Sequence, residues 1–374
     1  MLFSDADQRH MAQALALAEH GLYGTTPNPR VGCVLVRDGA VLAEGWHARA
    51  GGPHAEAAAI AEASARGLSL RGATAYVTLE PCNHQGRTPP CARALIEAGV
   101  ARVVIAMADP NPTASGGMQA LREAGITVEC GLLQAEAEAL NPGFIARVTR
   151  QRPWVRMKIA ASLDGRTALV DGRSQWITGA AARQDGHQWR ARACAILTGI
   201  GTVRDDDPQL NVRDVDTTRQ PLRVVIDSRL ETPLSARILQ GSKTLLLSAI
   251  DDPAREAAYA VRGVEVERVP SNAQGKTDLP LVLETLARRG INELHVEAGA
   301  KLNGSLLREG CVDELLIYLA PSVIGDTGLG MFALPPLAEL AAQQRLQFTD
   351  VRQIGDDLRI RARVLRASGN PASH

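Results

Sequence analysis

Two periods of apolar residues alternate along the chain and predict a mixed α/β protein. The first 21 residues place apolar side chains at helical spacing behind Ser4 or Asp5, either of which can cap a helix. The runs "VGCVLV" and "VLAEGW" flank an Asp-Gly turn, which is the signature of a β-hairpin. The next segments predict a helix, a strand, a helix and a strand: "PHAEAAAIAEASARG", "ATAYVTL", "CARALIEAG" and "RVVIAMAD". The pattern predicts a sheet covered by helices.

A second alternating series begins after "NPGFIARVTRQRP", residues 141–153, whose Pro, Gly and polar side chains are typical of a junction. The predicted strands are "WVRMKIAASLDG", "ACAILTG", "LRVVIDS", "KTLLLSA", "VEVERV" and "ELHVEAG", the helices lie around 179–193, 253–262, 278–289 and 301–310, and a hairpin turns at "GDD". Because 374 residues exceed what one core usually supports, we predict two domains, residues 1–146 and 147–367, and a disordered tail at 368–374.

Charge and composition narrow the kind of ligand. Lys plus Arg equal Asp plus Glu at 41 each and aromatic residues make up only 3%, so the chain lacks the basic field and stacking platforms of a general nucleic-acid groove. Polar residues interrupt the N-terminal apolar ones, which predicts an ordinary helix rather than a signal peptide. No run approaches the ~18 apolar residues of a membrane span. We expect a soluble, cytoplasmic protein with a small-molecule substrate and no nucleic-acid or membrane partner.

The cysteines point to metal binding or catalysis rather than to a disulfide scaffold. Six cysteines are too sparse for such a scaffold in a chain of this length. Four of them lie within or beside apolar runs, where a free thiol packs as a small hydrophobe. Cys82 and Cys91 instead share the polar loop "EPCNHQGRTPPC".

His54, Cys82 and Cys91 are the candidate ligands of one zinc ion per chain. His54 and Glu56 lie where a predicted helix begins, Cys82 follows a predicted strand, and Cys91 opens the next helix. One imidazole and two thiolates leave the fourth tetrahedral position open, as in catalytic zinc sites. The order His-x-Glu, Pro-Cys, Cys is the signature of zinc nucleobase deaminases, in which the Glu is the general acid/base. We therefore predict Glu56 as a catalytic residue and not as a ligand.

The motif also leaves alternatives open. Eight residues separate the two cysteines, whereas the short deaminase signature has two, so a loop is inserted where substrate would enter. A closed structural zinc site would need a fourth ligand, for which His84 is the nearby candidate. Without a metal, the pattern would be a buried cysteine pair beside a solvated helix face.

Both halves of the chain resemble one known family. The stretches "TTPNPRVGCVLV", "GWHARAGGPHAE" and "VTLEPCNHQGRTPPC" resemble the deaminase domain of the bifunctional deaminase/reductases of riboflavin biosynthesis, and "KIAASLDGRTA", "SQWIT", "AILTGIGTVRDDDPQLNVR" and "VEAGAKLNGSLL" resemble their reductase domain. The resemblance implies a cytidine deaminase-like three-layer α/β/α domain followed by a dihydrofolate reductase-like α/β domain. It also implies zinc-dependent deamination of a diaminopyrimidinone ribose phosphate, then NADPH-dependent reduction of the ribose.

In the deaminase half, the resemblance implies that Asn28, His47, His84 and Arg87 contact this substrate. The Asn28 amide can hold a ring amide edge, and a guanidinium suits a phosphate. The alternatives are that Asn28 shapes a turn between two prolines, that His47 is an edge histidine with its own partners, and that Arg87 is a solvated charge. The stretch "DPNPTASGGMQAL" compresses the family's glycine spacing, and we expect a shorter loop away from the zinc residues.

The reductase half has no GxGxxG fingerprint. "HVEAGAKLNGSLL" predicts a strand leading directly into a helix whose free N–H groups can hold a diphosphate, although a plain tight turn fits nearly as well. By resemblance the dinucleotide contacts are Ala160, Trp176, Thr202, Asp206, Ser228, Gly299, Ala300, Lys301, Leu302, Asn303, Gly304 and Ser305. The implied substrate contacts are Ser174, Arg190, Leu210, Arg213 and Glu297.

Four residues of this half predict which groups transfer protons and which dinucleotide is bound. Lys158 and Asp206 are the candidates for proton transfer at the sugar, although "DDDP" is also typical of a capped turn and Trp176 of a core residue. Ser228 and Arg229 after "VVID" favour a 2′-phosphate, and therefore NADPH over NADH.

A bifunctional enzyme is the function that we expect, as a homo-oligomer, either a dimer or a tetramer. One alternative is a nucleic-acid base deaminase with a fused targeting domain, which the balanced charge opposes. Another is a degenerate zinc protein, which the intact Glu56 opposes.

Overall fold

The computed structural model describes residues 3–84 and 89–366. It separates into two compact units, Met1–Gln151 and Arg152–His374. Arg87 and the predicted tail at 368–374 lie outside the described residues. Among the residues that are described, no helix combines the length and apolar content needed to cross a membrane.

The first unit is a sheet covered by helices. Its elements are α1 (Asp5–Glu19), β1 (Gly32–Arg37), β2 (Ala40–Trp46), α2 (Ala55–Ala65), β3 (Thr74–Leu79), α3 (Cys91–Ala98), β4 (Arg102–Met107), α4 (Gly117–Glu123), β5 (Thr127–Cys130), α5 (Gln134–Leu140) and α6 (Pro142–Arg150). Within the described residues the sheet has five strands in the order β2-β1-β3-β4-β5. β1 is antiparallel to β2 and β3, whereas β3, β4 and β5 are parallel.

Local sequence explains the first elements of this unit. Ser4 caps α1 in a reciprocal capping box with Asp7. Asp38 and Gly39 both adopt positive φ, 50° and 77°, as a two-residue hairpin turn requires, so the predicted hairpin is confirmed. A Cβ on Gly32 would lie 1.9 Å from the Ala14 carbonyl oxygen, which shows how closely α1 packs on β1.

The division between the two compact units lies within residues 141–153, the predicted junction, although most of these residues form the helix α6. Pro142 occupies the first turn of this helix, where a backbone N–H has no intrahelical partner. Proline therefore starts a helix here and does not mark a loop. The two compact units divide after Gln151, so the domain boundary predicted after residue 146 falls inside α6.

The second unit is built on a larger sheet. Its elements are β6 (Trp154–Ser162), β7 (Arg166–Ala168), α7 (Ala180–Arg192), β8 (Ala195–Gly199), α8 (Ile200–Asp206), β9 (Leu222–Ile226), β10 (Thr244–Ser248), α9 (Pro253–Ala260), β11 (Glu265–Arg268), α10 (Leu279–Arg288), β12 (Glu293–Val296), α11 (Ala300–Arg308), β13 (Glu314–Ala320), β14 (Leu329–Gly330), β15 (Leu346–Ile354) and β16 (Asp357–Val364). The predicted strands and helices of this half are present, and four elements were not predicted from the sequence: helix α8 and the strands β7, β13 and β14.

Nine strands form the main sheet of the described part of this unit, in the order β11-β10-β9-β8-β12-β6-β13-β16-β15. The strands from β11 to β13 are parallel, and the hairpin β15-β16 adds two antiparallel strands at one edge. Parallel strands end at the same edge of a sheet, and ligands bind outside their carboxyl ends in open α/β folds.

A buried ionic network joins the centre of this sheet. Arg156 on β6 is 1% exposed and lies 3.0 Å from Glu293 on β12 and 2.9 Å from Glu314 on β13. Arg192 and Arg361 supply second cations to these carboxylates, at 2.8 and 2.7 Å. Arg156 and Arg361 hold the pKa of Glu314 down to about 2, although burial opposes this shift. Without Arg156, each of the two buried carboxylates would keep one of these cationic partners instead of two. Arg156 therefore stabilises both Glu293 and Glu314.

We predict that Arg156→Leu lowers the free energy of unfolding of the second unit by about 3–5 kcal/mol, because it removes one partner of a buried ion pair. Denaturant unfolding of the full chain measures the change. Arg268→Leu is the control, since its pair with Asp251 is exposed on both sides and should contribute at most about 1 kcal/mol. Equal effects of the two substitutions would contradict the assigned role.

Two candidate active sites

The three predicted zinc ligands converge in the first unit. His54 is the N-cap residue of α2, Cys82 lies in the loop after β3, and Cys91 is the first residue of α3. Their ligand atoms all lie within 4.8 Å of one another. His54 Nδ1 is 3.6 Å from Cys82 Sγ and 3.3 Å from Cys91 Sγ. Tetrahedral zinc with ordinary Zn–N and Zn–S bonds would separate such atoms by about 3.5 Å, so the donor set fits this metal.

Local electrostatics favour thiolate at this position. Cys91 Sγ and His54 Nδ1 lie against Cys82 Sγ, and the Cys91 backbone N–H donates to the same sulfur at 3.5 Å. Hydrogen bonding, first from the Cys91 thiol and then from His54, lowers the pKa of Cys82 to about 4. Neither α2 nor α3 has a side-chain cap, and the first two N–H groups of α3 instead donate to Cys82, Cys91 N–H to the sulfur and Ala92 N–H to the carbonyl oxygen at 3.2 Å.

Glu56 lies in the first turn of α2 and is 3% exposed. Burial raises its pKa to about 7. A carboxyl group with a pKa near neutrality can both accept and donate a proton at neutral pH. The position and the environment of Glu56 therefore suit general acid/base catalysis beside the three ligands.

Asn28 and His47 lie together, and their hydrogen bonds define which atoms they can offer. His47 Nδ1 is 2.8 Å from the Pro53 carbonyl oxygen, and His47 Nε2 is 3.1 Å from Asn28 Nδ2. Because a carbonyl only accepts, Nδ1 carries the proton and Nε2 accepts from the Asn28 amide. The His47 ring also meets the His54 ring edge-on, with centroids 5.4 Å apart. His84 is exposed just after Cys82, and Arg87 lies outside the described residues.

Glu80 is a buried residue that the sequence analysis missed. Its carboxylate accepts backbone N–H groups of Gly116 and Met118, each at 3.0 Å, and of Asp109 at 3.2 Å. These contacts bind the segment from Asp109 to Met118 to the loop that carries Cys82. A Cβ on Gly117 would lie 1.8 Å from the Pro81 carbonyl oxygen, so the approach is close.

The expected separation of this segment from the zinc residues is therefore wrong. The Asn83 N–H donates to the Ala114 carbonyl at 3.1 Å, directly after Cys82. The partners of Glu80 are backbone groups distant in sequence, so the sequence offered no specific signal for them.

The second unit contains a cleft of about 1170 Å³. Thirteen of the residues predicted for the reductase line it: Lys158, Ala160, Ser174, Trp176, Arg190, Thr202, Asp206, Leu210, Arg213, Glu297, Gly299, Ala300 and Asn303. Lys301, Leu302, Gly304, Ser305 and Ser228 lie outside this lining. Ser228 Oγ instead accepts the Thr277 N–H at 3.0 Å.

Glu297 is the carboxylate that two cations of this cleft contact. Arg190 donates to both of its carboxylate oxygens, at 2.5 and 2.8 Å, and Lys158 Nζ lies 4.0 Å away. Arg190 and Lys158 hold the pKa of Glu297 well below its usual range, although burial opposes them. His295, which the sequence analysis missed, is fully buried and places Nε2 at 3.3 Å from Glu297 Oε1.

Trp176 lies at the surface of the same cleft and is not a core residue. Its side chain is 70% exposed, and the Arg183 guanidinium stacks 4.6 Å from the ring centroid. One face of the indole is thus covered by a cation. α11 begins at Ala300 behind the uncapped Gly299, so its first N–H groups have no side-chain partner.

The fold and the two sites define a zinc-binding nucleobase deaminase domain joined to a reductase domain. Residues 4–107 match the cytidine and deoxycytidylate deaminase zinc-binding region, and residues 153–360 match the RibD C-terminal domain. The chain belongs to the RibD family of riboflavin biosynthesis proteins, and it is a bifunctional deaminase and reductase.

Similar proteins extend over nearly the whole chain. RibD of Escherichia coli is 46% identical over 94% of this chain and 98% of its own length, and RibD of Haemophilus influenzae is 44% identical over 96% and 97%. The structure of Acinetobacter baumannii RibD superposes with a TM-score of 0.88 at 43% identity, covering 96% of this chain and 99% of that one. The Thermotoga maritima deaminase/reductase gives 0.85 at 34% identity with the same coverage. The expected fold class is confirmed.

We predict that Glu80→Gln destabilises the first unit by about 1–3 kcal/mol and accelerates zinc loss. The substitution replaces one carboxylate oxygen with an amide nitrogen, which cannot accept a hydrogen bond from the backbone N–H groups that the oxygen bound. Denaturant unfolding and zinc transfer to a chromogenic chelator measure the two effects. Glu97→Gln is the matched control, since Glu97 and its partner Arg93 are exposed on α3. Unchanged zinc transfer from the Glu80 variant would argue against its role.

Proposed function

We propose that the chain catalyses two consecutive reactions. The first is hydrolytic deamination of 2,5-diamino-6-(5-phosphoribosylamino)pyrimidin-4-one to 5-amino-6-(5-phosphoribosylamino)uracil. The second is NADPH-dependent reduction of the ribosyl group, giving 5-amino-6-(5-phosphoribitylamino)uracil. The solved Thermotoga maritima relative is named for the corresponding deaminase and reductase activities. The observation that carries the proposal is the convergence of His54, Cys82 and Cys91 beside the buried Glu56.

In the deaminase unit, His54, Cys82 and Cys91 would hold the zinc ion. When bound, zinc supplies a Lewis acid that makes water nucleophilic at neutral pH. Glu56 accepts one proton of the attacking water and passes it to the adjacent ring nitrogen, then carries the remaining hydroxyl proton to the 2-amino group, so that ammonia leaves and a carbonyl remains. The side-chain nitrogen of Asn28 donates a hydrogen bond to His47 Nε2, so the side-chain oxygen remains available to accept a hydrogen bond from a ring N–H. His84 and Arg87 complete the proposed substrate contacts from the spacer between the cysteines.

In the reductase unit, the cleft volume and the uncapped start of α11 fit a dinucleotide and a sugar phosphate. NADPH, when bound, supplies a hydride to the ribose C1′. As the bond between C1′ and the ring oxygen breaks, Lys158 donates a proton to that oxygen, and burial lowers the pKa of its ammonium group accordingly. Asp206, which also lines the cleft, is the second candidate for this proton.

The remaining contacts of the reductase follow from charge and exposed backbone. Arg190 and Arg213 would bind the substrate phosphate, with Ser174, Leu210 and Glu297 against the sugar. Residues 299–305 would hold the dinucleotide diphosphate, chiefly through the N–H groups at the start of α11. Ala160, Trp176, Thr202, Asp206 and Ser228 are the other proposed dinucleotide contacts.

Self-association and a cytoplasmic location are also part of the proposal. Large apolar side chains are exposed near the edge hairpin β15-β16, among them Leu340 at 79% and Phe348 at 68%. Exposed apolar side chains at the edge of a sheet support a homo-oligomer. A nucleic-acid base deaminase with a targeting domain is not favoured, because the second half belongs to the reductase family.

Metal analysis of the purified chain, combined with an NADPH-consumption assay on the diaminopyrimidinone, tests the whole proposal. We expect one zinc per chain, ammonia release and subsequent NADPH oxidation. NADH should support much slower turnover. Protein that retains zinc but releases no ammonia from this substrate would contradict the deaminase assignment.

We predict that Glu56→Gln retains zinc but releases ammonia at least about 100-fold more slowly, because the amide cannot carry the proton. Reduction of the deaminated intermediate should continue at the wild-type rate. Glu62→Gln, on the same helix but partly exposed, is the control. Wild-type deamination by the Glu56 variant would refute the mechanism.

We predict that Lys158→Gln lowers the reductase kcat by about 100-fold or more, because the ring oxygen loses its proton donor. The Kd of NADPH and the rate of ammonia release should not change. Lys243→Gln, at an exposed position beside β10, provides the comparison. If kcat is unaffected, Asp206 becomes the candidate donor.

A further inference from the structure

His187 joins two parts of the reductase cleft that carry proposed substrate contacts. It lies on α7 one turn before Arg190, is 9% exposed, and lines the cleft. Its Nδ1 accepts the backbone N–H of Arg213 at 3.2 Å. The ring therefore connects α7 to the segment 207–214, which carries Leu210 and Arg213.

This segment depends on such contacts for its conformation. Asp207, Leu210 and Asp214 all have positive φ, at 39°, 45° and 59°. Residues other than glycine rarely adopt this backbone conformation. The Arg190 guanidinium donates to the Asn211 carbonyl at 3.1 Å. Together with the bond from His187 to Arg213, this contact holds the strained backbone against α7.

The bond to Arg213 also determines what the other ring nitrogen can do. Because Nδ1 accepts, the neutral ring carries its proton on Nε2, which is then a donor. Within the described part of the chain, Nε2 has no protein hydrogen-bond partner. Burial, Arg190 and Arg213 together lower the pKa of His187 to about 4, so the ring is neutral at neutral pH.

The neighbouring arginines leave room for a further donor. Arg190 uses three of its five N–H groups on Glu297 and Asn211. The Arg213 guanidinium donates to Asn211 Oδ1 at 2.6 Å. Both arginines already donate to protein acceptors. The several acceptor oxygens of a phosphate could therefore accept a hydrogen bond from a further donor.

We propose that His187 is a binding and positioning residue of the reductase: Nδ1 holds the Arg213 backbone, and Nε2–H donates a hydrogen bond to the phosphate of the substrate beside Arg190 and Arg213. The inference rests on the proposed function for the presence of a sugar phosphate in this cleft. It adds to that function a neutral donor that recognises the phosphate without adding charge.

The test compares His187→Leu, which loses both ring functions, with His187→Gln, whose amide can accept and donate. Calorimetry with ribose 5-phosphate measures binding, and steady-state kinetics on the deaminated intermediate separate KM from kcat. We expect His187→Leu to weaken ribose 5-phosphate binding and raise KM by about 10- to 100-fold, the range of a hydrogen bond to a charged group, with a smaller change in kcat. His187→Gln should stay within about fivefold of the wild type.

Gln188→Leu is the control, because Gln188 is the next residue on α7 but is exposed and outside the cleft lining. It should match the wild type in binding and turnover. Circular dichroism verifies folding, and if His187→Leu does not fold, His187→Asn carries the same expectation because its side chain is too short to reach Arg213.

Each outcome decides between the two proposals. Wild-type binding of ribose 5-phosphate by His187→Leu, equal losses in the Leu and Gln variants, or no binding by the wild-type protein would overturn the inference. Binding that depends on His187, without reduction of the intermediate by the wild-type protein, would instead contradict the proposed reductase function. A loss confined to kcat would show that His187 does not act in phosphate recognition.

Discussion

Backbone N–H groups at uncapped helix starts are the constraint on which both sites depend. In the first unit, His54 and Cys91 stand where α2 and α3 begin, and the Cys91 N–H donates to Cys82 Sγ. In the second unit, β12 ends just before Glu297, and α11 begins at Ala300 without a side-chain cap. Such N–H groups need acceptors and carry partial positive charge. The sulfur of Cys82 meets this need in one unit, and an anionic ligand would meet it in the other.

The two buried carboxylates show how environment separates a proton carrier from an anchor. Glu56 is buried without a close arginine or lysine among the described residues, and its pKa rises to about 7. Glu297 is also buried, but Arg190 and Lys158 hold its pKa well below the ordinary range. The same side chain is thus suited to proton exchange in one unit and to a fixed negative charge in the other. Cation placement decides between these roles.

The sequence predicted features that depend on neighbours or on motif order. The Asp38-Gly39 hairpin needs only its own turn, and the candidate zinc ligands His54, Cys82 and Cys91 follow one another in a family pattern. Contacts between distant backbone groups were missed, such as those of Glu80 with Gly116 and Met118. Helix α6 was missed because Pro142 signals either a loop or a first helical turn, and the choice depends on packing. The contact of His187 with Arg213 was equally hidden, because the partner is a backbone N–H.

Side chains two residues apart on a strand lie on the same face of the sheet. On β6 and β12 such side chains form one polar row, which runs from the buried ionic network of the second unit to its cleft. Arg156 and Lys158 are two residues apart on β6, and Glu293 and His295 are two residues apart on β12, with Glu297 two further on. Parallel pairing places His295 opposite Arg156, so the residues alternate in register and lie on one face. Arg156 is tied to Glu293, and Lys158 and His295 approach Glu297. A shift of either strand would move the structural pair and the cleft residues together, so the buried network sets the position of the proposed chemistry.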